Sequence, residues 1–66
     1  MIEHKKPQDL RISVVDNEII RSYMKRIQSG ETVAPVRVIG ARVKDGNHRA
    51  AAYKLLGLNV PCENLR

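Results

Sequence analysis

Large aromatic side chains are scarce in this 66-residue chain, which has no tryptophan, no phenylalanine and only two tyrosines, Tyr23 and Tyr53. Its core must therefore be built from aliphatic side chains and alanine. A domain this short buries only about 60% of the surface that its unfolded chain exposes. We expect one marginally stable domain, for which a second copy of the chain, a ligand or another partner would add buried surface.

Cysteine is equally scarce, and long apolar runs are missing. The single Cys62 excludes an internal disulfide and a zinc site built from several cysteines, and no metal site is predicted. No stretch approaches the roughly 20 apolar residues of a membrane-spanning helix. The first residues carry charge without the apolar run of a signal peptide. These absences predict a cytoplasmic protein with no membrane segment.

Positive charge is in excess, with a formal net charge of +5. Such an excess favours association with nucleic acid, nucleotides or an acidic protein surface, and it does not choose between them. It is also compatible with an ordinary solvated surface. The candidate partner surface consists of six residues: Arg21, Lys25, Arg26, Arg37, Arg42 and Lys44.

Apolar periodicity and turn residues predict the order strand, helix, strand, strand, helix, strand. Residues 1–9 are polar and basic, and we expect a flexible arm ahead of a single domain at 10–66. Strands are predicted at 10–15, 35–39, 41–44 and 60–63. The last should lie at a sheet edge or end early, because Pro61 lacks a backbone donor. The predicted fold class is α/β (α+β), with two main helices on one face of a small mixed sheet.

The two helices are predicted at 17–29 and 48–56. Asp16 or Asn17 can cap the first helix, and Gly30 follows its end. Its apolar stripe consists of Ile19, Ile20, Tyr23, Met24 and Ile27. The second helix contains three consecutive alanines and should direct Ala52, Leu55 and Leu56 to the core.

The main candidate site is the loop at 45–49, where a predicted strand ends, a glycine follows and a helix begins. The first N–H groups of a helix have no partner within it and its dipole is positive there, so an anion is favoured. The predicted ligand-binding residues are Gly46, Asn47, His48 and Arg49. Alternatively, Arg49 pairs with Asp45 while His48 is solvated. Asp45 is a weak candidate for a catalytic base or magnesium ligand, and it can equally cap the turn.

The same region resembles a known family. Gly46 and Arg49 form a Gly-x-x-Arg loop, which is followed by an alanine-rich helix, a Leu-Gly turn and a Val-Pro strand. With the upstream helix and the strand that begins at Pro35, the pattern resembles the ParB/sulfiredoxin superfamily, often described as the ParB-like nuclease domain. The resemblance extends over about residues 12–63 and implies a minimal ParB/sulfiredoxin-like fold.

What the resemblance implies is nucleotide or phosphate handling at this loop. In the segregation proteins of the family the matching glycine and arginine hold the phosphates of CTP, and in sulfiredoxin the loop holds those of ATP. Gly46 and Arg49 match these positions best, and His48 falls where a polar, basic residue is usual. Asn47 stands where sulfiredoxin has its catalytic cysteine. Because an amide has no thiol chemistry, sulfiredoxin activity is not expected.

Three functions remain open. The first is a non-catalytic module that binds a nucleotide, with or without magnesium, or another phosphate group at Gly46, Asn47, His48 and Arg49. The second is a phage- or plasmid-encoded interaction module that inhibits or modulates a host system. The third is a kinase, nucleotide hydrolase or nuclease. Such phosphate chemistry usually needs several carboxylates and a metal, whereas Asp45 is the one candidate acid here.

Overall fold

The computed structural model describes residues 2–13 and 16–65 of the chain. Within these residues four strands, β1 (Ile2–Lys5), β2 (Val36–Ile39), β3 (Arg42–Asp45) and β4 (Val60–Asn64), form one sheet in the order β1-β4-β2-β3. β4 runs parallel to β2, and the other neighbours are antiparallel, so the sheet is mixed as predicted. A short 3-10 helix, η1 (Pro7–Asp9), follows β1. Neither main helix among the described residues is long and apolar enough to cross a membrane.

Helix α1 (Asn17–Gln28) begins where the sequence provides a cap. The Asp16 carboxylate accepts hydrogen bonds from the backbone N–H groups of Glu18, at 3.0 Å, and Ile19, at 3.2 Å. These bonds satisfy two of the donors that a helix start leaves unpaired. The predicted helix is confirmed, with Asp16 rather than Asn17 as the cap.

Helix α2 (Asn47–Leu56) lies between two glycines in left-handed backbone, Gly46 and Gly57. Its three buried alanines are only 0–7% exposed, and their small side chains allow close packing against α1 and the sheet. Leu55, by contrast, is 65% exposed, so the prediction that it faces the core is wrong. Leu55 lies four residues after Ala51 and shares its side of the helix, but it is in the last turn of α2 and belongs to neither buried cluster.

Two groups of buried side chains make up the core. One lies on the sheet face beneath α2 and contains Leu10, Val36, Val38, Val43, Ala50, Val60 and Cys62. The other lies between the helices, where Ile20 meets Ala51 and Ala52, with Tyr23, Met24 and Ile27 packed around them. All of these side chains are aliphatic, small or sulfur-containing except Tyr23, as the shortage of aromatics requires.

In place of the flexible arm predicted at 1–9, the described residues 2–9 contain β1 and η1. Strand β1 pairs with β4 from Ile2, opposite Glu63, to Lys5, opposite Val60. Most of its side chains are exposed, because it is an outer strand of the sheet. Backbone pairing needs no apolar side chains, so a polar sequence is compatible with this position.

The predictions for the strands at 10–15 and 60–63 also need correction. Arg11 makes an isolated parallel bridge to Arg42 instead of belonging to a strand, while Val14 and Val15 lie outside the described residues. β4 lies inside the sheet, between β1 and β2, despite Pro61. Its pairing with β2 starts at Cys62, one residue after Pro61. The missing backbone N–H of Pro61 is therefore tolerated at this position.

Candidate functional site

The turn from β3 into α2 is made by a single residue. Gly46 has φ 89° and ψ 30°, a left-handed conformation that residues with a side chain rarely adopt. The helix therefore begins immediately after the strand, and its first N–H groups have no partner within the helix. No acidic residue lies in the first turn of α2, so the positive end of the helix dipole has no internal counter-charge there.

The guanidinium group of Arg49 lies across Gly46. A Cβ atom at position 46 would be 2.5 Å from Arg49 Nη2 and 2.9 Å from Nε, so the glycine provides the space that this side chain occupies. Arg49 is 16% exposed and its Nη2 is 3.8 Å from the Asp45 carboxylate. That contact is long, and Asp45 is 70% exposed, so the pair contributes little to stability. Arg49 is held at the start of the helix mainly by packing.

Two buried nitrogen atoms at this turn have no hydrogen-bond partner among the described residues. They are Nε2 of His48 and Nε of Arg49. An unpaired buried polar atom costs about 1–3 kcal/mol. Of the alternative given above, the contact between Arg49 and Asp45 is present at 3.8 Å, whereas His48 is half-buried rather than solvated.

A cavity of about 280 Å³ lies in front of the turn. Its floor is the turn itself, and its opposite wall is formed by Ile19 and Tyr23 of α1. Ile19 is 40% exposed because it faces this cavity rather than the core. The guanidinium carbon of Arg26 lies 5.3 Å from the centre of the Tyr23 ring, a cation–π contact that restrains the ring. The lining residues are Ile19, Tyr23, Asp45, Gly46, Asn47, His48 and Arg49.

The structure brings all four predicted ligand-binding residues to one cavity, and it gives Asn47 a second role. The Asn47 side-chain oxygen accepts a hydrogen bond of 3.0 Å from the backbone N–H of Ser13. The amide oxygen thus ties Ser13 to the start of α2, and the NH₂ group of Asn47 remains as a donor for a ligand.

Asp45 can contribute to the cavity only together with a ligand. It is the one carboxylate among the lining residues, and no group of three or more metal-ligating side chains occurs among the described residues. Magnesium is commonly held by one or two carboxylates together with ligand phosphates. Asp45 could therefore contact a phosphate-bound magnesium ion, whereas a metal site formed by the protein alone has no basis in these residues.

The six predicted basic partner residues come from three elements, α1, β2 and β3, and differ in their surroundings. Arg26 pairs with Glu31 at 3.2 Å, and Arg37 lies 3.9 Å from Glu63. Arg21 and Lys25 lie on the exposed side of α1. Arg42 and Lys44 line a separate cleft, together with Arg11. Sequence reasoning missed Arg11 because the residues around it were assigned to a regular strand.

Cys62 is remote from the candidate site. It is fully buried in β4 and donates a weak hydrogen bond of 3.3 Å to the Val60 carbonyl oxygen. Burial of the thiol raises the pKa of Cys62 above its ordinary value, and the positive charge of Lys5 opposes part of that increase. The side chain is a small core residue and lines no part of the cavity at α2.

The raised pKa of Cys62 predicts a loss of stability at alkaline pH. In the unfolded chain the thiol ionises above about pH 8.5, whereas in the folded protein it stays protonated to higher pH. The free energy of unfolding should therefore fall as pH rises from the unfolded towards the folded pKa. Urea denaturation at pH 7 and pH 10 should show a smaller drop for Cys62→Ser than for wild type. An equal drop in both proteins would contradict this assignment.

The arrangement of strands and helices matches a solved structure. The crystal structure of sulfiredoxin from Arabidopsis thaliana superposes with a TM-score of 0.84 and 24% sequence identity, over 100% of this chain and 85% of that one. No protein-family model matches the chain, and no curated protein matches it. At this identity the likeness establishes the fold. The chain has a ParB/sulfiredoxin-like α+β fold, which confirms the predicted fold class.

Proposed function

We propose that this chain is a minimal ParB/sulfiredoxin-like module that binds a phosphate group, as part of a nucleotide or another phosphate-bearing ligand, without transforming it. The observation that carries the proposal is the Arg49 guanidinium packed across Gly46 at the start of α2. A planar guanidinium beside unpaired helix N–H groups presents several donors in one direction, which suits the oxygens of a phosphate.

The unpaired nitrogens and the local charge support the same proposal. Nε2 of His48 and Nε of Arg49 are buried without partners among the described residues. Ligand oxygens would satisfy both atoms and would neutralise the positive end of the α2 dipole. The similarity to sulfiredoxin adds support at the level of the fold.

The single carboxylate of the cavity favours binding over catalysis. Enzymes that transfer or hydrolyse phosphate groups usually position a metal with several acids, and Asp45 is the one acid that lines this cavity. Asn47 has no thiol, and Cys62 is buried elsewhere, so we expect no sulfiredoxin reaction from this chain. Cys62→Ser should therefore leave ligand affinity unchanged.

A thermal-shift panel tests the proposal. Wild-type protein is melted with inorganic phosphate, CTP, ATP, ADP and GTP, each with and without magnesium, and the solutions are then analysed for hydrolysis products. A phosphate-bearing ligand that binds the folded state should raise the melting temperature with concentration, and no product should form. Product formation would favour the enzyme. A panel without any shift would favour an interaction module that has kept the fold alone.

Replacing Asp45 by asparagine should strengthen phosphate binding. The carboxylate repels an anion in the cavity and competes for Arg49 at 3.8 Å. Because Asp45 is largely exposed, we expect a gain of about twofold to fivefold, equivalent to less than about 1 kcal/mol. Titration calorimetry without magnesium measures it. A weaker affinity of Asp45→Asn under these conditions would show that the carboxylate contributes to binding.

A further inference from the structure

A second polar cleft, of about 470 Å³, lies on the outer side of β3. Its cationic residues come from two separate parts of the chain: Arg11 from the segment before α1, and Arg42 and Lys44 from β3. Ser13 and Asn47 supply neutral donors, and no carboxylate is among the lining residues. This group of residues is called the β3 cleft below.

Backbone pairing forces two of these positive charges together. The Arg11 N–H donates to the Ala41 carbonyl at 2.7 Å, and the Arg11 carbonyl accepts from the Val43 N–H at 3.3 Å. Arg11 is therefore the lateral neighbour of Arg42. Like charges in such positions destabilise a sheet. Among the described residues neither arginine has an ion-pair partner that would offset the repulsion.

The donors of the β3 cleft resemble those with which proteins hold a nucleic-acid backbone. Phosphate contacts come from arginine and lysine, from serine and asparagine side chains, and from helix starts. The β3 cleft contains arginine, lysine, serine and asparagine, and Asn47 joins it to the start of α2. The chain as a whole is strongly basic, with a sequence pI of about 9.9. No aromatic side chain lines the cleft, so stacking of unpaired bases has no platform there.

We propose that the β3 cleft binds the phosphate backbone of duplex nucleic acid independently of base sequence. The β3 cleft shares Asn47 with the phosphate site at Arg49, but its cations are different residues, and it does not require a ligand in that cavity. Three cations that each neutralise one phosphate would contribute about −2.7 to the slope of log affinity against log salt concentration. They would place the start of α2 beside the same backbone.

Two variants with equal charge test this inference. Arg11→Gln/Arg42→Gln/Lys44→Gln removes the cations of the β3 cleft. Arg21→Gln/Lys25→Gln/Lys54→Gln removes three exposed cations from the helices and is the matched control. Fluorescence anisotropy with a short labelled DNA duplex is recorded over a range of salt concentrations. We expect the cleft variant to bind at least about tenfold more weakly at low salt and to lose about 2.7 from the slope, whereas the control changes the slope by less than about one.

Three results would overturn the inference: an equal loss in both variants, stronger binding of a single strand than of the duplex, or stronger binding of a short polyglutamate peptide. The last result would assign the β3 cleft to an acidic protein. Melting curves of both variants confirm that each is folded. The cleft variant should keep its affinity for inorganic phosphate within about twofold, because none of its three changed residues lines the cavity at Arg49; a failure of the phosphate site and a failure of the β3 cleft therefore give different results.

Discussion

Replacing Arg49 by alanine is expected to weaken the binding of a phosphate-bearing ligand by about tenfold to a hundredfold. The change removes charge-assisted hydrogen bonds, each worth about 1.5–3 kcal/mol. Every 1.4 kcal/mol corresponds to about tenfold in affinity. The helix N–H groups remain and should retain part of the binding. Titration calorimetry with the strongest ligand of the thermal-shift panel measures the change.

Two further variants separate charge from geometry at this position. Arg49→Lys keeps the positive charge but lacks the planar fork, so its affinity should lie between wild type and Arg49→Ala. Lys25→Ala removes an exposed cation from α1, outside the cavity, and should change affinity by less than about twofold. If the affinity is unchanged in Arg49→Ala but reduced in Lys25→Ala, the binding site lies on the basic side of α1 instead. Because Arg49 is only 16% exposed, melting curves must accompany each titration.

Replacing Ile20 by alanine is expected to produce the largest loss of stability. Ile20 is 5% exposed and packs against Ala51 and Ala52, where α1 meets α2. Shortening a buried isoleucine to alanine costs about 2–5 kcal/mol. A domain of this length has a total stability of only about 3–10 kcal/mol. The melting temperature should therefore fall by at least about 10 °C, as circular dichroism would show.

The neighbouring Ile19 is a matched control for Ile20. Both are isoleucines in the first turns of α1, but Ile19 is 40% exposed and lines the phosphate cavity. Ile19→Ala should cost less than about 1.5 kcal/mol, since little buried surface is lost. It should affect ligand binding more than stability. If Ile19→Ala and Ile20→Ala have the same melting temperature, the packing of α1 against α2 is looser than the contacts of Ile20 indicate.

Local signals were sufficient for the helices and for the candidate loop. Asp16 and Gly46 determine where the helices begin, and Gly57 ends the second, because capping and left-handed backbone depend on a few adjacent residues. The juxtaposition of Gly46, Asn47, His48 and Arg49 follows from their position at one helix start. The sequence could therefore predict that these four residues lie together, while their role in binding stays a prediction. The order of the elements was sufficient to predict an α+β fold with a mixed sheet.

Long-range backbone pairing could not be predicted in the same way. Strand β1 has a polar sequence, and its place in the sheet depends on β4, nearly sixty residues away. The inner position of β4 contradicts the usual effect of Pro61 and depends on where its pairing with β2 begins. Strand pairing is set by partners distant in sequence, and local periodicity carries little information about them.

The sequence by itself determined the two helices, the aliphatic composition of the core and the glycine turn into α2, because each depends on composition or on residues within a few positions of one another. Only the tertiary structure decided that Arg49 lies across Gly46, that Ile19 and Tyr23 form the facing wall, and that Arg11 lies beside Arg42. The facing wall and the Arg11–Arg42 pair join segments that are far apart in the chain, and the position of the Arg49 side chain depends on the packing around it. Their geometry depends on how α1 packs on α2 and on how residues 10–13 cross the edge of β3.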